Sequence, residues 1–286
     1  MTKDAFRLIR PARQDTSVIF ASPHSGRDYP DDFLAASPLE TLHLRSSEDA
    51  YVDRLIARAP LCGAPLLCAL TPRSFIDLNR AADELDPAVI AGIDRPAHNP
   101  RISSGLGVIP RVVSGGRAIH SGKITLQEAQ HRLNAHWRPY HAALAGVIDE
   151  THSAFGEAIL IDCHSMPHEA IENHARPGQP KPEVVLGDRF GAAASGEIVD
   201  QVEAAFASAG FRVVRNSPFA GAYIAQHYGR PLAGKHVVQI EIDRSLYLDE
   251  VRVEPGPNFA SFSVRFNRVV AELAGIGRRA LPMAAE

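Results

Sequence analysis

Long apolar runs are missing from this chain of 286 residues; the longest, such as Pro65–Leu70, are far too short to cross a bilayer. The opening "MTKDAFRLIRPARQD" mixes both charge signs and has no continuous apolar stretch, so a secretory leader is not expected. Charge of one sign is also scarce in excess. Thirty Lys and Arg against 33 Asp and Glu leave a formal net charge of −3, which gives no electrostatic reason to expect nucleic acid or an anionic membrane as partner. Cysteine is rare and odd in number. Cys62, Cys68 and Cys163 have no framework spacing and read as reduced thiols of a cytoplasmic protein. Internal repeats, low-complexity tracts and recognisable linkers are absent too, and nothing indicates an oligomeric state. With 45% hydrophobic and 22% charged residues the chain is globular, and one domain over residues 1–286 is the expected organisation.

What is present is an alternation of strands and helices. "SVIFAS" (17–22), "PLLCAL" (65–70), "EAILID" (157–162), "EVVLGD" (183–188), "FRVVR" (211–215) and "HVVQIEI" (236–242) read as strands. Helical spacing puts Val52, Leu55, Ile56 and Ala59 on one side of a helix from Glu48, with Ser46 or Ser47 as N-cap. Thr125 and Glu128 form a capping-box pattern opening a helix to about Ala154, which Pro139 should kink or split. Further helices are expected over 195–209, 221–229 and 258–276. Residues 81–123 and 172–182 hold many Gly, Pro, Asn or Ser and read as irregular segments, of the kind that often line sites. Several strands are apolar on both faces. The pattern therefore implies an α/β fold of three layers, helix–sheet–helix, around a mixed, mostly parallel sheet.

Thirteen histidines stand in the chain. His131, His136, His141 and His152 fall in the long helical region and read as ordinary helix residues. His24 and His164 differ, because each follows an apolar run, in "VIFASPHSG" and "ILIDCHSMP". Ligands of open α/β sheets bind outside the carboxyl ends of strands, and Glu48 returns to the same rim. Two imidazoles and a carboxylate with an open fourth position form the ligand set of a catalytic zinc, so His24, Glu48 and His164 are the candidate ligands. Asp49 is the neighbouring alternative, pointing about 100° away on a helix. Ordinary loop histidines would explain the same residues. Glu241 interrupts the apolar strand before "DRSLYLDE", which is costly unless it is paired or functional. It is the candidate general base for a metal hydrolase, or else the partner of a buried arginine such as Arg244. Asn79, Arg80 and Arg111 are candidates for holding a small-molecule substrate that carries carboxylates, through forked hydrogen bonds.

The ordered blocks "SPHSGRDYPDDF", "RSSEDAYVD", "PRSFIDLNRA", "GVIPR", "WRPYHAAL", "DCHSMP", "VLGDR" and "QIEIDRSLYLDE" resemble the N-formylglutamate amidohydrolase family. That resemblance implies hydrolysis of N-formyl-L-glutamate to formate and L-glutamate, a late step of histidine degradation, by a zinc-dependent enzyme acting on a linear amide. It also implies a fold like that of the zinc carboxypeptidases. Carried over residue by residue, His24, Glu48 and His164 would hold Zn2+, and Asn79 and Arg80 would bind one carboxylate. Arg111 would bind the second carboxylate or polarise the formyl oxygen, and Glu241 would be base and then acid. In the carboxypeptidases the first histidine and glutamate stand three residues apart. Here twenty-four separate them, which leaves Glu48 and Asp49 both open. Arg176, Asp188 and Arg189 are weaker candidates in a segment that could close over substrate. Alternatives are a deacylase or carboxypeptidase acting on another N-acyl amino acid, or a non-catalytic relative binding acidic amino acids.

Overall fold

The computed structural model describes residues 4–93, 99–172 and 181–278. Its centre is a seven-stranded sheet made of β1 (Phe6–Ile9), β2 (Val18–Ser22), β3 (Leu66–Ala69), β4 (Ala158–Met166), β5 (Val184–Gly187), β6 (Val213–Arg215) and β7 (Lys235–Asp243), in the order β1-β3-β2-β4-β7-β5-β6. β1 and β5 pair antiparallel with β3 and β7; the other four pairings are parallel. The sheet is thus mixed and mostly parallel, as the apolar strands imply. β1 is not evident in the sequence, because Arg7 and two charged neighbours hide the Phe6/Leu8 alternation.

Alternation divides the core between the two faces. Val18, Phe20, Ile159, Ile161, Val238 and Ile240 pack on one side, against the helices Gly196–Ser208 and Phe259–Ile276. Ile19, Ala21, Ala158, Leu160 and Val237 pack on the other, against Tyr140, Leu144 and Val147 of the helix Arg138–Phe155. Burial on both sides stabilises the sheet by roughly 1.5–3 kcal/mol for each of these Val, Leu, Ile and Phe side chains.

Two helical expectations change. Between Arg45 and Val52 the chain turns instead of running helical, and Tyr51 adopts a left-handed φ of 64° before the short helix Val52–Leu55. The long helix is not broken at Pro139. It runs from Leu126 to Phe155 through a π-helical turn at Leu133–Trp137, where the Arg138 N–H reaches back five residues to the Leu133 carbonyl. Proline at the second position of the next segment falls where the hydrogen-bond ladder is already displaced. Thr125 caps this run by accepting from the Glu128 N–H.

Candidate metal and substrate site

The face that is apolar at Leu160 and Val237 becomes polar two residues further on. Period two puts Asp162 and His164 of β4 beneath Leu160, and Gln239 and Glu241 of β7 beneath Val237. The parallel register aligns Asp162 with Gln239 and His164 with Glu241. His164 therefore lies inside β4, not after it, because the strand continues to Met166. His24 enters from the turn that follows β2. Gly26 of that turn is packed so closely on the end of β3 that a Cβ would lie 2.1 Å from the Thr71 carbonyl oxygen.

His24, Asp49 and His164 converge. Asp49 Oδ2 lies 2.9 Å from His164 Nδ1 and 3.3 Å from His24 Nδ1, and the two Nδ1 atoms are 3.1 Å apart. All three residues are buried. The far side of each ring meets its own acceptor: His24 Nε2 is 2.8 Å from Asp77 Oδ1, and His164 Nε2 is 3.0 Å from Asp162 Oδ2. These outer carboxylates assign the ring protons to Nε2, the arrangement common to metal-ligating histidines. Two nitrogen lone pairs and a carboxylate oxygen then face one point, and only a cation or a shared proton relieves their repulsion. The residues fit a divalent cation with nitrogen and oxygen ligands. Electrostatics agree. Burial opposes charge on both groups, yet Asp162 and Asp49 hold the His164 imidazole well above its usual range, and the two histidines hold Asp49 well below the usual carboxylate range.

Glu48, the favoured carboxylate of the sequence reading, is corrected to Asp49. The turn at 46–51 places the Asp49 N–H on the His24 carbonyl at 2.9 Å. Glu48 instead accepts from the Tyr29 hydroxyl at 2.8 Å and from Arg45. Arg244 does not pair with Glu241. Its Nη2 donates to Asp49 Oδ1 at 3.0 Å, while Nε and Nη1 donate to Ser165 Oγ and the Ser46 carbonyl. The guanidinium holds the outer oxygen of Asp49 and leaves Oδ2 toward the histidines.

A cavity of about 600 Å³ opens over these groups, and Glu241 faces it beside His24 and His164. Burial pushes the Glu241 carboxyl up to about 7, Asp49 adding to the effect against His164, Arg73 and Arg244. Its Oε1 accepts from Gln239 Nε2 at 2.9 Å. Asn79 and Arg80 line the same cavity. Asn79 Nδ2 lies 3.2 Å from His164 Nε2, and its Oδ1 accepts from the Ile224 N–H at 2.8 Å.

Arg111 is displaced from the site. Its guanidinium donates to Asp86 at 3.0 Å and to the Ser103 carbonyl, and it is not among the described residues lining the cavity. The long segment 81–123 has no period from which its direction is readable. Arg73 and Arg101 line the cavity instead. Arg73 bonds Asp77 Oδ2 through Nε at 3.0 Å; burial opposes its charge, but Asp77, Asp49 and Glu241 keep its pKa raised. Burial lowers Arg80, and the charges of Arg73 and Arg101 add to that lowering against Asp77. With Arg244, four guanidinium groups thus share one concave space, which favours an anionic ligand. The sequence carried a signal for Arg73: it stands four residues before Asp77, across the apolar pair Phe75–Ile76.

Asp188 and Arg189 are braces outside the lining. Asp188 accepts from Asn216 and from the Gly191 N–H, and Arg189 Nη1 donates to the Gly221 carbonyl at 3.3 Å. They support the 218–222 wall, which Gly187 admits because a Cβ there would lie 2.6 Å from the Gly221 nitrogen. Arg176 lies outside the described residues.

Comparison with known proteins points to one family. The family model for N-formylglutamate amidohydrolase matches residues 16–248. N-formylglutamate deformylases of Pseudomonas aeruginosa and Pseudomonas putida are each 28% identical over 236 residues, 82% of this chain and 82% of the relative. The crystal structure of N-formylglutamate amidohydrolase from Ralstonia eutropha JMP134 is similar with a TM-score of 0.90 at 34% identity, over 98% of this chain and 100% of that one. A protein from Agrobacterium tumefaciens shares the fold, with a TM-score of 0.63 at 17% identity over 96% and 97% of the two chains.

Proposed function

The chain belongs to the N-formylglutamate amidohydrolase family, and from that premise we propose that it hydrolyses N-formyl-L-glutamate to formate and L-glutamate. One observation carries the reading beyond family membership: three convergent metal-donor atoms and a buried carboxylate of raised pKa share one face of the sheet, under a cavity rich in guanidinium groups.

When a divalent cation, zinc in this reading, is held by His24, Asp49 and His164, it supplies Lewis-acid polarisation of the formyl group and of the attacking water. Glu241 takes a proton from that water as its oxygen bonds to the formyl carbon. A carboxylate poised near neutrality accepts and returns a proton with little penalty. As the C–N bond breaks, Glu241 delivers the proton to the amine nitrogen, and formate and glutamate are left. Arg73, beside Asp49 and Glu241 in the electrostatics of the site, donates to the developing oxyanion. Arg80 with Asn79 binds one substrate carboxylate, and Arg101, on the rim of the cavity, binds the second. A dicarboxylate neutralises the guanidinium cluster better than a monocarboxylate does. Release of glutamate suits the end of histidine degradation, and the unpaired cysteines suit a cytoplasmic setting.

The test is formate release from N-formyl-L-glutamate against N-formyl-L-aspartate and N-formyl-L-methionine, with elemental analysis of the purified protein. The glutamate compound is expected to give the highest kcat/KM. Chelation is expected to abolish turnover, and zinc to restore it at about one ion per chain. A better substrate among the other two would overturn the substrate assignment; full activity after chelation, with no metal found, would overturn the metal.

A further inference from the structure

The loop that carries Asn79 and Arg80 has no strand or helix of its own, so its main-chain groups need other partners. Three successive carbonyls find them in side chains. His141 Nε2 donates to the Leu78 carbonyl at 2.9 Å, Arg80 Nη1 to the Asn79 carbonyl at 2.8 Å, and Trp137 Nε1 to the Arg80 carbonyl at 2.9 Å. The Leu78 carbonyl can only accept, which fixes the tautomer with the proton on Nε2, while His141 Nδ1 lies 2.9 Å from the Tyr228 hydroxyl, itself 3.2 Å from the His141 carbonyl. Trp137 and His141 stand four residues apart on one helical face, with ring centroids 4.0 Å from each other.

They share that face by ordinary α-helical spacing, at the start of the helix that follows the π-helical turn at Leu133–Trp137. A π turn holds one residue more than an α turn and rotates everything after it by about 100° relative to the helix before. The π turn at Leu133–Trp137 therefore sets the direction of Trp137 and His141 relative to the preceding segment, Leu126–Arg132.

We propose that Trp137 and His141 are positioning residues for the substrate's carboxylate: they fix the main chain of residues 78–80 and thereby the aim of Asn79 and Arg80 into the cavity. The role assigned to Asn79 and Arg80 rests on the reading given under Proposed function; the mechanical part does not. Neither Trp137 nor His141 lines the cavity among the described residues, so both act through the loop.

The experiment uses the full chain and three variants: Trp137→Phe, His141→Phe and His141→Gln, the last of which keeps an N–H donor. Amide exchange of residues 77–80 is measured without substrate, and KM and kcat with N-formyl-L-glutamate. Loss of one such hydrogen bond corresponds to roughly a 2- to 13-fold effect. Trp137→Phe and His141→Phe are expected to exchange about tenfold faster at 77–80 and to raise KM about fivefold, with kcat changed less than twofold. His141→Gln is expected to stay close to wild type in both. Unchanged exchange at 77–80 in Trp137→Phe and His141→Phe overturns the proposal, as does a fall in kcat with KM unmoved. If wild type does not turn over N-formyl-L-glutamate, the functional reading fails, and the exchange data still decide the mechanical one.

Discussion

The two faces of β4 and β7 are made from the same two strands, yet they behave differently along their length. On one face Ile159, Ile161 and Cys163, with Val238, Ile240 and Ile242, are apolar to the end. On the other, Leu160 gives way to Asp162 and His164, and Val237 to Gln239 and Glu241, all still buried. Burying a polar group without a partner costs about 1–3 kcal/mol on mutational scales, and more for a charge. Most of the polar half avoids that cost through partners that are themselves polar and buried, Asp49, Asp77, Asn79 and Arg244, while Asp162 Oδ1 is buried with no hydrogen-bond partner among the described residues. One face is therefore a stability device over its whole length, whereas the other surrenders half its length to chemistry.

Substitutions on either face should separate the two roles. The largest effect is expected from Glu241→Gln, with kcat lowered about 10³-fold, within the range for removing a general acid–base group, while elemental analysis finds wild-type metal content. Ile161→Ala, on the opposite face, should do the reverse: destabilise by about 2–5 kcal/mol in urea titration and leave kcat per folded molecule unchanged.

The third expectation concerns pH in chelator-treated protein. Glu241 is raised to about 7 by burial, so its contribution to stability is full below its ordinary 4.5 and is lost as pH rises through 7. His141 is lowered to about 4 by burial, so its contribution is full above 6.5 and is lost as pH falls through 4. Each amounts to about 3 kcal/mol, and in wild type the two slopes oppose one another between pH 4.5 and 6.5. Glu241→Gln should therefore lose stability on acidification over that window, and His141→Gln should gain it; parallel slopes in the two variants would break the assignment.

The smallest effects separate Asp49 from its neighbour. Arg244→Met frees the outer oxygen of Asp49 and should weaken metal binding about 10- to 100-fold. Glu48→Gln should leave it within twofold, as titration with a chromophoric chelator would measure.

How much of this was legible follows from the same contrast. The convergence of His24, His164 and Glu241 agrees with their places at polar interruptions of apolar runs, where period two leaves little freedom. Glu48 and Asp49 are both open in the sequence, because the turn that ends in left-handed Tyr51 replaces the expected helix and leaves no periodic trace. Arg111 and Arg101 lie in a segment without period, so the direction of either is set by tertiary contacts alone. His141 looked like any helix histidine; its bond to the Leu78 carbonyl joins residues 63 positions apart.

Because His164 sits within β4, in register with Glu241 of β7 and two residues past the end of the pairing with β2, its backbone is held in the sheet. His24 and Asp49 stand in turns joined to each other by one main-chain hydrogen bond. Any breathing of the three donors is thus lopsided: one anchor stays put while a coupled pair swings together, so release of a cation held there would begin at the pair.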